Sequence, residues 1–169
     1  MGYALGCKEN DATLKDIANL CDAFYIGGTK CGALFGECAV VPDTAKVKNL
    51  FTIAKRHGAI MAKGRLIGIQ FDELFSNNLY LKLGEHAIKC ADTVRDSIAK
   101  SKFTLCFDSP SNQIFILCGD DDYEALQEEV TVDFWEKPDN AQTIARICTA
   151  WSTTDEELKV LCDEIEKFV

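Results

Sequence analysis

Apolar and polar positions follow two rhythms along this chain, and the change falls near residue 103. Before it, helical spacing dominates. In "ATLKDIANLCD" (residues 12–22) apolar residues recur every three or four positions, with Asp11 or Thr13 available as a cap. "AFYIGG" (23–28) predicts a short buried strand ending in glycines, and "ALFGECAVV" (33–41) a second strand interrupted by Gly36. "DTAKVKNLFTIAKRHGAI" (43–60) predicts one amphipathic helix that Gly58 ends. Residues 67–101 keep a helical period, broken at Ser76-Asn77-Asn78 and relaxed at Gly84.

From Phe103 onward the period shortens. "FTLCFD" and "QIFILCG" read as strands around an "SPSN" turn, and "DDDYEALQEE" as a helix with acids where its macrodipole favours them. "VTVDFWE", a turn at Pro138-Asp139-Asn140, the strand "TIARICTAW" and a final helix follow. Thr153 followed by Glu156 predicts a capping box for that helix. Three regions result: 1–75 as α/β, 76–102 as a connecting helix, and 103–169 as a small α+β domain. Two strands in the first region are too few for a covered parallel sheet, so they pair with each other or lack neighbours.

Composition narrows the function. The 169 residues carry 18 Lys plus Arg against 27 Asp plus Glu, a formal charge of −9. That balance argues against a nucleic-acid partner, since phosphate contacts need clustered basic side chains. No apolar run approaches a membrane span, and the first residues lack a signal layout, so a cytoplasmic protein is expected. The nine cysteines are odd in number, scattered and free of C-x-x-C pairs, which predicts reduced core thiols. His57 and His86 stand far apart, and no metal site is expected.

The candidate chemistry centres on Lys30. It sits in "GGTKCG" between two apolar runs. A Walker A loop requires Lys before Ser or Thr, and here Thr29 precedes Lys30, so that nucleotide loop is excluded. The alternatives are an ordinary surface turn and a lysine that forms a Schiff base. The latter needs a neutral amine, which a desolvated pocket supplies. Thr29 and glycine backbone N–H groups suit a cofactor phosphate.

The order strand-Gly-Gly-Thr-Lys-x-Gly-Ala-Leu-x-Gly-Glu-strand resembles the cofactor-lysine segment of the L-threonine aldolases and related β-eliminating lyases. "AKRHGAIMAKGRLIGIQFDELF" and "IARICTAWSTTDEEL" resemble later segments of the same family, in the same order. The resemblance implies part of the large domain of a pyridoxal-phosphate-dependent, aspartate-aminotransferase-like fold, followed by a small α+β domain. It implies that Lys30 links covalently to pyridoxal 5'-phosphate with Thr29 beside it. It further implies that Arg146 binds the α-carboxylate of an amino-acid substrate and that Lys55 lies near the site. The activity implied is cleavage of a β-hydroxy amino acid such as threonine to glycine and an aldehyde, by a homo-oligomer. Met61-Ala62-Lys63 stands where many members have Met-Arg-Gln, which leaves the substrate open. An Asp-Gly-Ala-Arg segment of the family lies just ahead of the stretch matching "GYAL". On that ground the chain resembles a C-terminal portion, expected to be weakly active or inactive alone, the alternative being a purely structural role.

Overall fold

The computed structural model describes residues 1–169, which divide into two compact units, Met1–Gly84 and Glu85–Val169. The division falls inside the long helix, so the expected connector over 76–102 gives its first residues to one unit and the rest to the other.

The first unit opens with α1 (Gly2–Leu5) and α2 (Leu14–Leu20). Thr13 caps α2, its hydroxyl accepting from the Asp16 N–H while the Asp16 carboxylate accepts from the Thr13 N–H. Strands β1 (Phe24–Gly27) and β2 (Glu37–Val40) pair antiparallel in a two-stranded sheet, with Gly27 opposite Glu37. The mutual pairing left open for these strands is present.

The single helix expected over 43–60 is instead two pieces, a 3₁₀ turn at Thr44–Lys46 and α3 (Leu50–Arg56). Asn49 separates them at φ 60°, the left-handed region that asparagine tolerates better than most residues. Gly58, at φ 71°, ends α3 as expected. Next come α4 (Arg65–Phe75), a 3₁₀ turn (Ser76–Asn78) and α5 (Leu79–Ile98). The break at Ser76-Asn77-Asn78 is real: Asn77 and Asn78 both take positive φ, at 52° and 58°. Gly84 does not relax α5, which runs through it; its role is steric. A Cβ there would overlap the Gly2 carbonyl, so the bare backbone lets α1 lie directly against α5. Ile26, Cys31, Ala33, Phe71, Leu74 and Tyr80 form the buried cluster of this unit.

The second unit contains β3 (Thr104–Leu105), β4 (Gln113–Gly119), α6 (Asp120–Glu129), β5 (Asp133–Glu136), β6 (Gln142–Cys148) and α7 (Asp155–Ile165). Its antiparallel sheet has the order β3-β4-β6-β5. Strict alternation along β4 and β6 buries Ile114, Ile116, Cys118, Thr143, Ala145 and Ile147 on one face. That face meets Ala91, Val94 and Ile98 of α5, Leu126 of α6 and Ile165 of α7 in one core. The capping box of α7 is one residue later than expected, at Thr154 and Glu157; Thr153 instead accepts from the Ala150 N–H through its hydroxyl. "FTLCFD" contributes only two strand residues.

Two glycine substitutions should move stability in opposite directions. Gly68 lies in α4 with open space around it, so Gly68→Ala should stabilise by about 0.5–1 kcal/mol through helix propensity alone. Gly84→Ala carries the same propensity gain but drives a Cβ into backbone, and should lower stability. Thermal unfolding of the two variants against the parent measures both signs.

Candidate functional site

Lys30 lies where the sequence placed it, on the turn that follows β1. The turn is built on one carbonyl: Gly28 O accepts from the N–H groups of Cys31 (2.8 Å) and Ala33 (3.0 Å). Gly28 must lack a side chain, since a Cβ would stand 2.7 Å from the Ala33 Cβ and 2.8 Å from the Phe71 ring. Gly32 takes φ 96°, reversing the chain at a backbone conformation that favours glycine.

The turn is also tied down at both ends. On the far side, the Leu34 N–H donates to Gln70 Oε1 of α4 (2.7 Å), and Gln70 Nε2 donates to the Leu66 carbonyl (3.2 Å). On the near side, the Tyr80 hydroxyl of α5 donates to the Gly27 carbonyl (2.8 Å). Cys31 and Ala33 point into the core, while Thr29 and Lys30 between these anchors are exposed.

Of the two surroundings left open for Lys30, the described residues give it the exposed turn. Within its own unit the amine is not desolvated, because the neighbouring glycines face the core and the side chain leaves the turn outward. Lys30 forms no ion pair. Beside it lies a cleft of about 190 Å³ lined by Gly2, Gly27, Thr29, Lys30, Glu37 and Tyr80, among others. Lys55 is not brought there: it stands exposed on α3, and the cleft does not include it. His57 is exposed at the end of the same helix.

Cys31 and Tyr80 are buried together on the inner side of the turn. Burial raises the Cys31 thiol above its ordinary value, and burial followed by the adjacent Cys31 raises the Tyr80 phenol. Burial pushes Cys118, in the second unit, up to about 11. Of the nine cysteines only Cys31, Cys90 and Cys118 are fully buried, and Cys21 and Cys148 are exposed. The expected core thiols are therefore three, with four more half-buried.

In the second unit, Arg146 projects from the face of the sheet opposite the core. Its Nε (3.1 Å) and Nη2 (2.7 Å) both donate to Oδ2 of Asp133, its cross-strand partner. The guanidinium also stands 5.2 Å from the centre of the Trp135 ring, and Phe115 and Phe107 continue the aromatic row at 5.0 and 5.3 Å. The hydrogen bond to Asp133 raises the guanidinium further above neutrality. Arg146 is thus an oriented cation with one edge and one face engaged. Sequence reasoning missed Asp133, Trp135, Gln70 and Tyr80. Only Asp133 left a signal there, being in the strand that pairs beside the arginine.

Comparison with solved structures places this geometry. The chain matches the structure of a threonine aldolase from Leishmania major with a TM-score of 0.89 and 35% sequence identity, over 98% of its own length. The fold is shared. It is the expected one, part of a pyridoxal-phosphate fold type I large domain followed by a small α+β domain. The chain spans 48% of that aldolase chain. No family model and no curated protein matches it. None of its helices is long and apolar enough to cross a membrane.

If the turn is closed as described, iodoacetamide at pH 8 should label Cys21 readily and leave Cys31 and Cys118 unmodified. Peptide mapping checks this, and labelling of Cys31 at the rate of Cys21 would mean the turn is open in solution.

Proposed function

We propose that this chain is the lysine-bearing part of a pyridoxal-phosphate lyase of the threonine aldolase type. Such an enzyme cleaves a β-hydroxy amino acid, threonine or a close analogue, to glycine and an aldehyde. The observation that carries the reading is Lys30. It is an amine without an ion pair, next to the Thr29 hydroxyl, on a turn anchored at both ends, in a chain that shares its fold with an aldolase. In this reading the enzyme is cytoplasmic and homo-oligomeric.

The residues present fit the cofactor. A primary amine and a hydroxyl stand exposed side by side, and Gly27 and Gly2 line the adjoining cleft without side-chain bulk. Pyridoxal phosphate, when bound, supplies an aldehyde carbon for an amine and a sink for the electrons of the broken Cα–Cβ bond. Lys30 Nζ would hold it, and once released Nζ would be free to carry a proton. Thr29 would help hold the phosphate through its hydroxyl. Arg146 binds the substrate carboxylate, and its fixed fork orients the amino acid rather than merely attracting it.

Incubation of the 169-residue protein with pyridoxal phosphate, followed by borohydride reduction and peptide mapping, should place the cofactor on Lys30 in preference to the other lysines. Lys30→Ala should abolish that selective label. Arg146→Ala should leave the label intact and weaken threonine's ability to displace it about 10- to 100-fold, the scale of a lost charged hydrogen bond. Even labelling across the exposed lysines would overturn the assignment.

A further inference from the structure

We propose that Tyr80 is a positioning residue for Lys30, fixing the strand end from which its turn leaves. This rests on the role given to Lys30 above. The ring of Tyr80 has an ordinary core function. It is 2% exposed and packs edge-on against Phe75 at 5.6 Å, with Phe75 in turn 5.9 Å from Phe71. A phenylalanine would fill that space equally well. The hydroxyl needs a separate explanation, because a buried hydroxyl costs free energy unless it is hydrogen-bonded.

Its hydrogen bond goes to the strand end that leads into the turn. It donates to the carbonyl of Gly27, three residues before Lys30. On the other side it lies near the thiol of Cys31, one residue after Lys30. The two side chains converge over Gly2, where a Cβ would overlap the Cys31 sulfur and stand 3.0 Å from the Tyr80 ring. Gly27 is the last residue of β1, so a loss at its carbonyl frees the point where the strand becomes the turn. The internal bonds to Gly28 O keep the turn's shape, and Tyr80 fixes where that shape sits. The phenol stays protonated, since burial raises it, so it remains a donor through the neutral range.

The position of Tyr80 is set in turn by the helix break. Asn77 and Asn78 in left-handed conformations reset the chain direction between α4 and α5. They deliver the second residue of α5 beneath the turn. Gln70 of α4 holds the other end at Leu34, so the helix pair grips the loop twice.

The test is Tyr80→Phe in the 169-residue protein, with two readouts. Amide hydrogen exchange at Cys31 and Ala33 should rise about tenfold, the upper range for one lost hydrogen bond, with exchange in α2 unchanged. The ratio of pyridoxal-phosphate labelling at Lys30 to that at Lys46 should fall by a similar factor. Leu14→Ala, which trims the same hydrophobic cluster from α2, is the control: it should lower stability and leave that ratio alone. Unchanged exchange in Tyr80→Phe would overturn the hold on the turn. Faster exchange with an unchanged ratio would make Tyr80 structural only and overturn its positioning role. If the parent protein shows no preference for Lys30, the functional reading fails. The exchange data then still decide whether Tyr80 holds the turn.

Discussion

The first unit depends on how closely bare backbone can approach Tyr80 and α5. Three glycines make that approach possible. Gly2 leaves room for the Cys31 thiol and the Tyr80 ring, Gly84 lets α1 rest on α5, and Gly28 admits Ala33 and the Phe71 ring. Each gives up something: glycine is less favourable than alanine in a helix by about 1 kcal/mol, and it loses more entropy on folding. A short, two-stranded sheet cannot repay that through its own ladder. The repayment comes from the six buried residues that the approach brings together, and half of them, Ile26, Cys31 and Ala33, come from β1 and the Lys30 turn. The geometry of the turn and the stability of the unit are therefore one problem.

The second unit is built by a different rule. Its sheet has four strands, and strict period two along β4 and β6 places Ile114, Ile116, Ala145 and Ile147 on the covered face. The core needs no close backbone approach; Ile114, Ile116, Ile147, Leu126 and Ile165 fill it with branched side chains. Polar groups that enter are matched: the Thr149 hydroxyl donates to the Ala87 carbonyl at 2.6 Å, and the Thr143 hydroxyl to the Asp120 carboxylate at 2.7 Å. Because the inner face is complete, the outer face is free to carry a row of aromatics and an arginine.

Period and punctuation made most of these elements legible in the sequence. The acidic helix over 120–129, the strand over 113–119 and the end of α3 at Gly58 fall where they are expected, because strong alternation or a single glycine decides them. The errors lie where a local signal had a near-equivalent neighbour. Thr153 and Thr154 are each followed three residues later by a glutamate, and the capping box forms on the second. Asn49 looked like a helix interior residue and is a break, since asparagine's tolerance of positive φ leaves no periodic trace. At the site, Lys30 stood out because a cation between apolar runs is anomalous. Tyr80 did not, because a tyrosine at helical spacing looks like any core aromatic. Its hydroxyl acquires meaning only from a carbonyl 53 residues earlier in the chain.

Arg146 shows how a side chain can be held ready without being used up. A guanidinium presents five N–H donors, and Asp133 takes those along the Nε edge with a single oxygen. Trp135 covers a ring face. The Nη1 end of the fork keeps its donors, so a second carboxylate can approach along the terminal edge in the paired geometry that arginine favours. Asp133 costs affinity there, since it already neutralises part of the charge and repels an incoming anion. It also removes a rotamer-entropy cost that a free arginine would meet on binding, up to about 2 kcal/mol for so long a side chain. With Asp133 half exposed, solvent screens much of the repulsion, whereas the orientational gain is unaffected by screening. The balance therefore favours a pre-oriented arginine, and under the role proposed for Arg146 it would be Asp133 and Trp135 that aim the fork.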